Sequence, residues 1–257
     1  MVVAVWGASS RAGAAQRGAR VVVWDVSAER ANAVRDIIAA HGCEASSVAV
    51  DVTDREAVEQ AAAQTGPVDI LVNNAGVVGG RRFLDSSPEQ VERVLDVNLH
   101  SLYWVTRAFL PGMVERHYGT VVNVASAAAL IGSAKMTDYA ASKFGALGFT
   151  DALRNEMRLD STGVNTMIVC PYYMSTGMFD GVTTRSSLLL PILKPQTVAV
   201  KVLNGIERGV QQIVEPPFVR TVPLLRVLPP RLFDAIADLF GVNRTMDDFV
   251  GRDGDRV

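Results

Sequence analysis

Short apolar runs alternate along the chain with longer stretches in which apolar residues recur at helical spacing. The runs over 2–6, 20–24, 47–50, 68–72, 120–125, 164–169 and 212–214 are rich in valine. Several are continuously apolar rather than alternating, as expected of strands buried on both faces of a parallel sheet. The helices between them carry start signals. Thr53-Asp54-Arg55-Glu56 reads as a capping box, and Ser87-Pro88-Glu89-Gln90 as a second with proline at the first helical position. The stretch 88–116 has room for a helix bent or broken near Asn98 and again near Pro111, and 137–159 for a second long helix. Alternating strand and helix predict an α/β fold: a Rossmann-type, doubly wound parallel sheet in a three-layer α/β/α sandwich with right-handed crossovers. No repeat, low-complexity tract or convincing linker precedes Pro216. The expectation is a single domain, with nucleotide-binding and catalytic residues over 1–215. Residues 216–257 would form a C-terminal extension packed on it, as a substrate lid or an oligomer contact.

Composition leaves that picture standing. The 257 residues are 49% apolar and 20% charged, ordinary for a soluble globular protein. A formal net charge of −2 gives no electrostatic case for nucleic acid. Cys43 and Cys170 lie far apart and suit a reducing compartment better than a disulfide framework. No apolar run reaches membrane-spanning length. The opening MVVAVWGASS enters a strand directly, so no cleaved leader and a cytoplasmic location are expected. His41, His100 and His117 stand without partners at metal-ligand spacing, and no metal is expected.

Candidate chemistry begins after the first strand. Gly7-Ala8-Ser9-Ser10-Arg11-Ala12-Gly13 places glycines where a backbone turns sharply toward a pyrophosphate. Gly7, Ser9, Arg11 and Gly13 are its candidate cofactor contacts. Arg11 occupies a third position where glycine is expected, and a plain strand-to-helix turn is an equal alternative. Only Ala14–Arg17 separate Gly13 from Gly18, so the first helix is barely one turn. Strand two ends in Asp25, placed to accept from a ribose diol and to repel a 2′-phosphate, which favours NAD over NADP. Arg11 pulls weakly toward a phosphate, and a helix N-terminal carboxylate is the alternative for Asp25. Asp51, at the end of strand three, would accept from the adenine amine or serve as a turn aspartate. Asn73-Asn74-Ala75-Gly76 ends strand four, and Asn74 and Gly76 suit a crevice where backbone approaches a ligand closely.

Asn73-Asn74-Ala75-Gly76, Asn98, Ser126, Tyr139-Ala140-Ala141-Ser142-Lys143 and Pro171 followed by Thr176 together resemble the short-chain dehydrogenase/reductase family, in order and spacing, over about 2–181. Residues 171–179 and Met246-Asp247-Asp248-Phe249 resemble its retinol dehydrogenase and 17β-hydroxysteroid dehydrogenase-like branch. The chain departs from the family pattern at Trp6 and Arg11, in its first helix, about six residues short, and at Tyr172 after Pro171.

Tyr139 and Lys143 are four apart on a helix and share a face. Alone, such a pair is usually an exposed ion-and-phenol pair. With Ser126 and Asn98 it reads as a hydride-transfer site. A free phenol has a pKa near 10. A neighbouring ammonium and an oxidised nicotinamide would lower it, letting Tyr139 exchange a proton with an alcohol as hydride moves. Lys143 would also bond the nicotinamide ribose, and Ser126 would hold the substrate oxygen. The resemblance implies that Asn98 holds a water linking Lys143 to solvent and that Thr176 binds the carboxamide.

Near the C-terminus, Ser187-Leu188-Leu189-Leu190-Pro191-Ile192-Leu193 is strongly apolar, and Leu232, Phe233, Ile236, Leu239 and Phe240 share a helical face. An apolar lid there implies a lipophilic alcohol or ketone, such as a retinoid, a steroid or a fatty alcohol. Core or subunit packing is the alternative, with shallow peripheral membrane contact a third. The leading reading is an NAD-dependent oxidoreductase. The alternative is a catalytically impaired relative that keeps the fold for binding or assembly. The resemblance also implies a homodimer or homotetramer packed through 88–116 and 137–159.

Overall fold

A computed structural model describes residues 2–4, as backbone, and 17–251. Gly7, Ser9, Arg11, Gly13 and the short helix expected from Ala14 lie outside the described residues. Seven strands form one parallel sheet: β1 (Val2–Ala4), β2 (Val21–Asp25), β3 (Ala45–Ala49), β4 (Ile70–Asn73), β5 (Gly119–Val124), β6 (Val164–Pro171) and β7 (Gln212–Glu215). Their order is β3-β2-β1-β4-β5-β6-β7, so the winding reverses between β1 and β4. Crevices for ligands open at the carboxyl ends beside such a reversal.

Helices cover both faces. They are α1 (Ala28–Ala40), α2 (Arg55–Thr65), α3 (Pro88–Leu95), α4 (Ser101–Glu115), α5 (Thr137–Leu159), α6 (Pro195–Glu207), the one-turn α7 (Val222–Leu225) and α8 (Pro230–Leu239). Successive strand residues point to opposite faces. Val22 and Trp24 therefore join Leu71 and Val121 under α2, α4 and α5. Val21 and Val23 face the other way, onto α1 and α6, and Val122 and Val124 pack on α6. Buried polar groups cross-link the layers. Asn73 Nδ2 donates to Asn123 Oδ1 (2.9 Å) and Thr106 Oγ1 (3.1 Å), and Asn123 Nδ2 donates to Thr150 Oγ1 (2.9 Å). One network thus pins β4 and β5 to α4 and α5.

Three expectations change in detail. The cap of α2 is Asp54, whose carboxylate accepts from Ala57 N; Thr53 instead donates to Asp51 (2.7 Å), because Asp51 already forms a tight turn there. The box at Ser87 and Gln90 is present as read. The helix over 88–116 is interrupted once, by a π-helical turn at Asp96–His100, and α4 continues through Pro111. Finally, the apolar face read on 232–240, as a lid or as core or subunit packing, is divided: Phe240 packs on Phe218 at 5.2 Å, whereas Leu232 and Leu239 are exposed. Among the described residues no helix is long and apolar enough to cross a membrane.

Candidate active site

The carboxyl ends of the central strands open into one cleft of about 1160 Å³. Asp25 lines one end, Asn74 and Gly76 the middle, and Ser126, Tyr139 and Lys143 the other. Asp51 and Thr176 line it as well.

Each reactive side chain is placed by the element carrying it. Ser126 follows β5 in extended backbone and caps a short 3₁₀ turn, its Oγ accepting from Ala128 N at 3.1 Å. Tyr139 lies in the first turn of α5 and hydrogen-bonds with the Ser126 side chain. Lys143, one turn on, donates from Nζ to the Val124 carbonyl at 3.2 Å and sits 5.5 Å from the centre of the Tyr139 ring. Tyr139 and Lys143 are each 4% exposed. Asn98 turns inward because the π-helical turn adds a residue and re-aims the helix. Its Oδ1 accepts from Val77 N (2.8 Å), and its Nδ2 donates to Val77 O (2.9 Å) and Ser142 Oγ (3.1 Å). Ser142 passes the connection to the Tyr139 carbonyl at 2.7 Å. Asn98 therefore ties the loop after β4 to α5, with both its amide hydrogens committed.

Electrostatics depart from the expectation that Lys143 lowers the phenol's pKa. Burial pushes the Tyr139 phenol well above its ordinary value, against the pull of its Ser126 hydrogen bond. Burial also pushes Lys143 down to about 8. Both groups lie beneath one apolar cap, where desolvation penalises either charge. The cap is aromatic. Phe179 stands edge-on to Tyr139 at 5.8 Å and to Tyr173 at 5.0 Å. A strap near the C-terminus fastens it: Tyr173 OH meets Thr245 Oγ1 at 2.9 Å, Val250 N donates to Asp180 O at 2.8 Å, and Lys135 pairs with Asp247 at 2.8 Å.

Several contributors have no marked signal in the sequence. Phe179 and Tyr173 reach Tyr139 only through the fold. Arg30, on α1, donates to Asp25 Oδ1 from Nε (3.1 Å) and from a terminal nitrogen (3.0 Å), so the carboxylate meant for a ribose already carries a guanidinium. Its i+5 spacing from Asp25 is the one hint the sequence offers. Asp138 is buried beside Tyr139; its Oδ1 accepts the Tyr139 N–H at 2.7 Å, and burial pushes its carboxyl up.

The residues present fit a dinucleotide. The cleft runs from a ribose-type carboxylate to a lysine and a phenol. Midway along it, a Cβ on Gly76 would stand 3.4 Å from Asn98 Oδ1 and 3.6 Å from Lys143 Nζ, so glycine keeps the floor low between those two polar groups. Among the described residues no three His, Cys, Asp or Glu side chains gather as metal ligands.

The chain matches the family model described as short chain dehydrogenase over residues 7–186. It is 36% identical to epidermal retinol dehydrogenase 2 of Mus musculus over 93% of this chain and 79% of that protein. It is 34% identical to short-chain dehydrogenase/reductase family 16C member 6 of Bos taurus, over 98% and 84%. Among solved structures, a short-chain dehydrogenase/reductase from Burkholderia phymatum in complex with NAD superposes with a TM-score of 0.77 at 25% identity, covering 88% of this chain and 92% of that one. A metagenomic short-chain oxidoreductase in complex with NADP gives 0.67 at 27% identity, over 81% and 90%.

Proposed function

From the premise that this chain belongs to the short-chain dehydrogenase family and is a nicotinamide-dependent oxidoreductase acting on CH–OH groups, we propose that it interconverts a lipophilic alcohol and its carbonyl compound with NAD. The observation that carries the reading is the juxtaposition of Ser126, Tyr139 and Lys143 beneath an aromatic cap, at the opposite end of the cleft from Asp25.

The nicotinamide supplies hydride transfer and, when oxidised, a positive charge. In oxidation Tyr139 takes the hydroxyl proton of the substrate as its carbon loses hydride; in reduction it returns one. Ser126 holds the substrate oxygen against the phenol. Lys143 would anchor the nicotinamide ribose and lend its charge to the phenolate, offsetting part of what burial costs Tyr139. Asn98 fixes the distance between the loop after β4 and α5. Thr176, exposed at the cleft rim, would meet the carboxamide, and Asp51 and Asn74, which also line the cleft, would border the adenosine half. Gly7, Ser9, Arg11 and Gly13 are our candidates for the pyrophosphate.

The NAD preference rests on Asp25. The retinol dehydrogenase names of the relatives, together with Phe179, Met174 and Met178 at the substrate end, support a retinoid, steroid or fatty alcohol. We further read residues 216–257 as a lid-supporting extension of the same domain and the enzyme as a cytoplasmic homodimer or homotetramer. The exposed Tyr103, its ring tilted against half-buried Phe149 across α4 and α5 at 4.6 Å, supports pairing through those helices. The test is nicotinamide absorbance with all-trans-retinol, a hydroxysteroid and a long-chain alcohol, with NAD and NADP compared. Turnover with NAD on at least one of them is expected. A folded protein that turns over none of them, or works only with NADP, contradicts the proposal.

A further inference from the structure

Asp138 is a buried titratable group that the proton exchange does not use. It is 8% exposed and stands one residue before Tyr139. The first N–H groups of a helix have no acceptor within it, and a capping side chain normally supplies one. Met136, the N-cap of α5, makes no side-chain cap hydrogen bond. Asp138 supplies an acceptor from inside the first turn: its Oδ1 takes the Tyr139 N–H at 2.7 Å. The helix dipole favours a first-turn carboxylate even when it is exposed, so the dipole does not account for the burial. The other oxygen, Oδ2, is buried as well and has no hydrogen-bond partner among the described residues. An oxygen held in that state is unfavourable for folding, and such local conflicts gather at functional sites.

Oδ2 faces the loop after β4. A Cβ on Gly79 would stand 2.6 Å from it, closer than a methyl group packs. The loop has little room to retreat. On one side of Gly79, Val77 is hydrogen-bonded to Asn98 through both its N–H and its carbonyl. On the other, Gly80 lies against the ring of Phe249, with φ at +67°. The same loop reaches Tyr139 by a second route, through Asn98, Ser142 and the Tyr139 carbonyl. Two arms thus hold the backbone of Tyr139, one at its N–H and one at its carbonyl, and both end on residues 77–79.

We propose that Asp138 is a positioning residue: seated against Gly79, its carboxyl holds the Tyr139 N–H and fixes how far the phenol stands from the loop after β4. Its consequence for turnover rests on the reading of Tyr139 as the group that exchanges the proton. The arm itself does not, because amide exchange reads it without cofactor or substrate.

The experiment is a cycle of Asp138→Ala, Gly79→Ala and the double variant, with Asp138→Asn as the conservative replacement. Each is followed by hydrogen exchange at the Tyr139 amide, and by kcat and the KM for NAD with all-trans-retinol. Asp138→Ala is expected to speed exchange at Tyr139 about tenfold or more while 143–157 exchange as in the parent. It is also expected to lower kcat about tenfold or more at an unchanged KM for NAD. Asp138→Asn keeps an accepting oxygen and is expected to bring both readouts within about threefold of the parent. Gly79→Ala is expected to reproduce the loss where its methyl displaces the carboxyl, and to add nothing once residue 138 is alanine. Unchanged exchange at Tyr139, or unchanged kcat, in Asp138→Ala overturns the proposal. So does a Gly79→Ala loss of equal size in both backgrounds. Should Asp138→Ala fail to fold, Asp138→Asn near the parent with Gly79→Ala impaired sustains the proposal, and any other pairing overturns it. A parent that turns over no alcohol sinks the activity reading, and the exchange alone then decides the arm.

Discussion

Lys143 keeps an ammonium where an aromatic cap excludes water, and the protein bears the cost. Its folded pKa of about 8 lies below the ordinary 10.5. Below pH 8 both folded and unfolded chains hold the proton, and the full penalty of burying it is present. Between 8 and 10.5 the unfolded chain holds more protons, so native stability rises with pH. The shift corresponds to roughly 3 kcal/mol. Lys143→Met removes that penalty but leaves the Val124 carbonyl without its donor, a loss of about 1 kcal/mol. The variant is therefore expected to be inactive yet roughly 2 kcal/mol more stable at pH 7, with the advantage closing toward pH 10.5 in denaturant titrations. Reduced stability at pH 7 would contradict the assignment of burial as the dominant force there. Asp25 and Arg30 provide a second residue-scale prediction. A carboxylate shared between a guanidinium and a ribose diol discriminates less sharply than a free one. Asp25→Ala removes a charged hydrogen-bond acceptor and is expected to weaken NAD binding about tenfold or more. Arg30→Ala is expected to weaken NADP more than NAD, as read by quenching of tryptophan fluorescence on titration with each dinucleotide.

At the scale of elements, the long helix α5 was legible to the residue, because apolar periodicity and the Tyr139–Lys143 spacing agree along 137–159. The seven strands were legible within a few residues, since continuous valine runs between polar breaks leave little freedom of assignment. The π-helical turn was visible only as an interruption near Asn98. Pro111 misled because its lost hydrogen bond and steric clash did not break α4, which packs along its length through Val105, Phe109 and Met113. The connection from α5 to β6 carries a prediction of its own. Gly163 holds φ at +75°, and a Cβ there would collide with the His117 carbonyl, which belongs to the α4–β5 link. Gly163→Ala is expected to cost about 1–3 kcal/mol and several degrees of Tm, without changing KM in the folded fraction. An unchanged Tm would show that the two links do not meet as described.

For the molecule as a whole, sequence order was enough to bring Asn98, Ser126, Tyr139 and Lys143 to one place, because each sits at a fixed distance past a strand end and parallel strands align those ends. It could not reveal what covers them. Phe179 and Tyr173 come from the stretch after β6 and Thr245 from near the C-terminus, and their meeting depends on a strap anchored by Lys135 and Asp247. Nor could it show that burial, rather than the neighbouring lysine, sets the resting state of the phenol. The central claim is that Tyr139 exchanges the proton while the rest of the cleft holds the dinucleotide. Tyr139→Phe tests it most directly, because the ring and its contact with Phe179 persist while the hydroxyl is lost. In one preparation, NADH binding followed by its fluorescence is expected to stay within about twofold of the parent, since the ring is kept. Turnover is expected to fall by about 10²–10⁴. Undiminished turnover in that folded, NADH-binding variant would contradict the account.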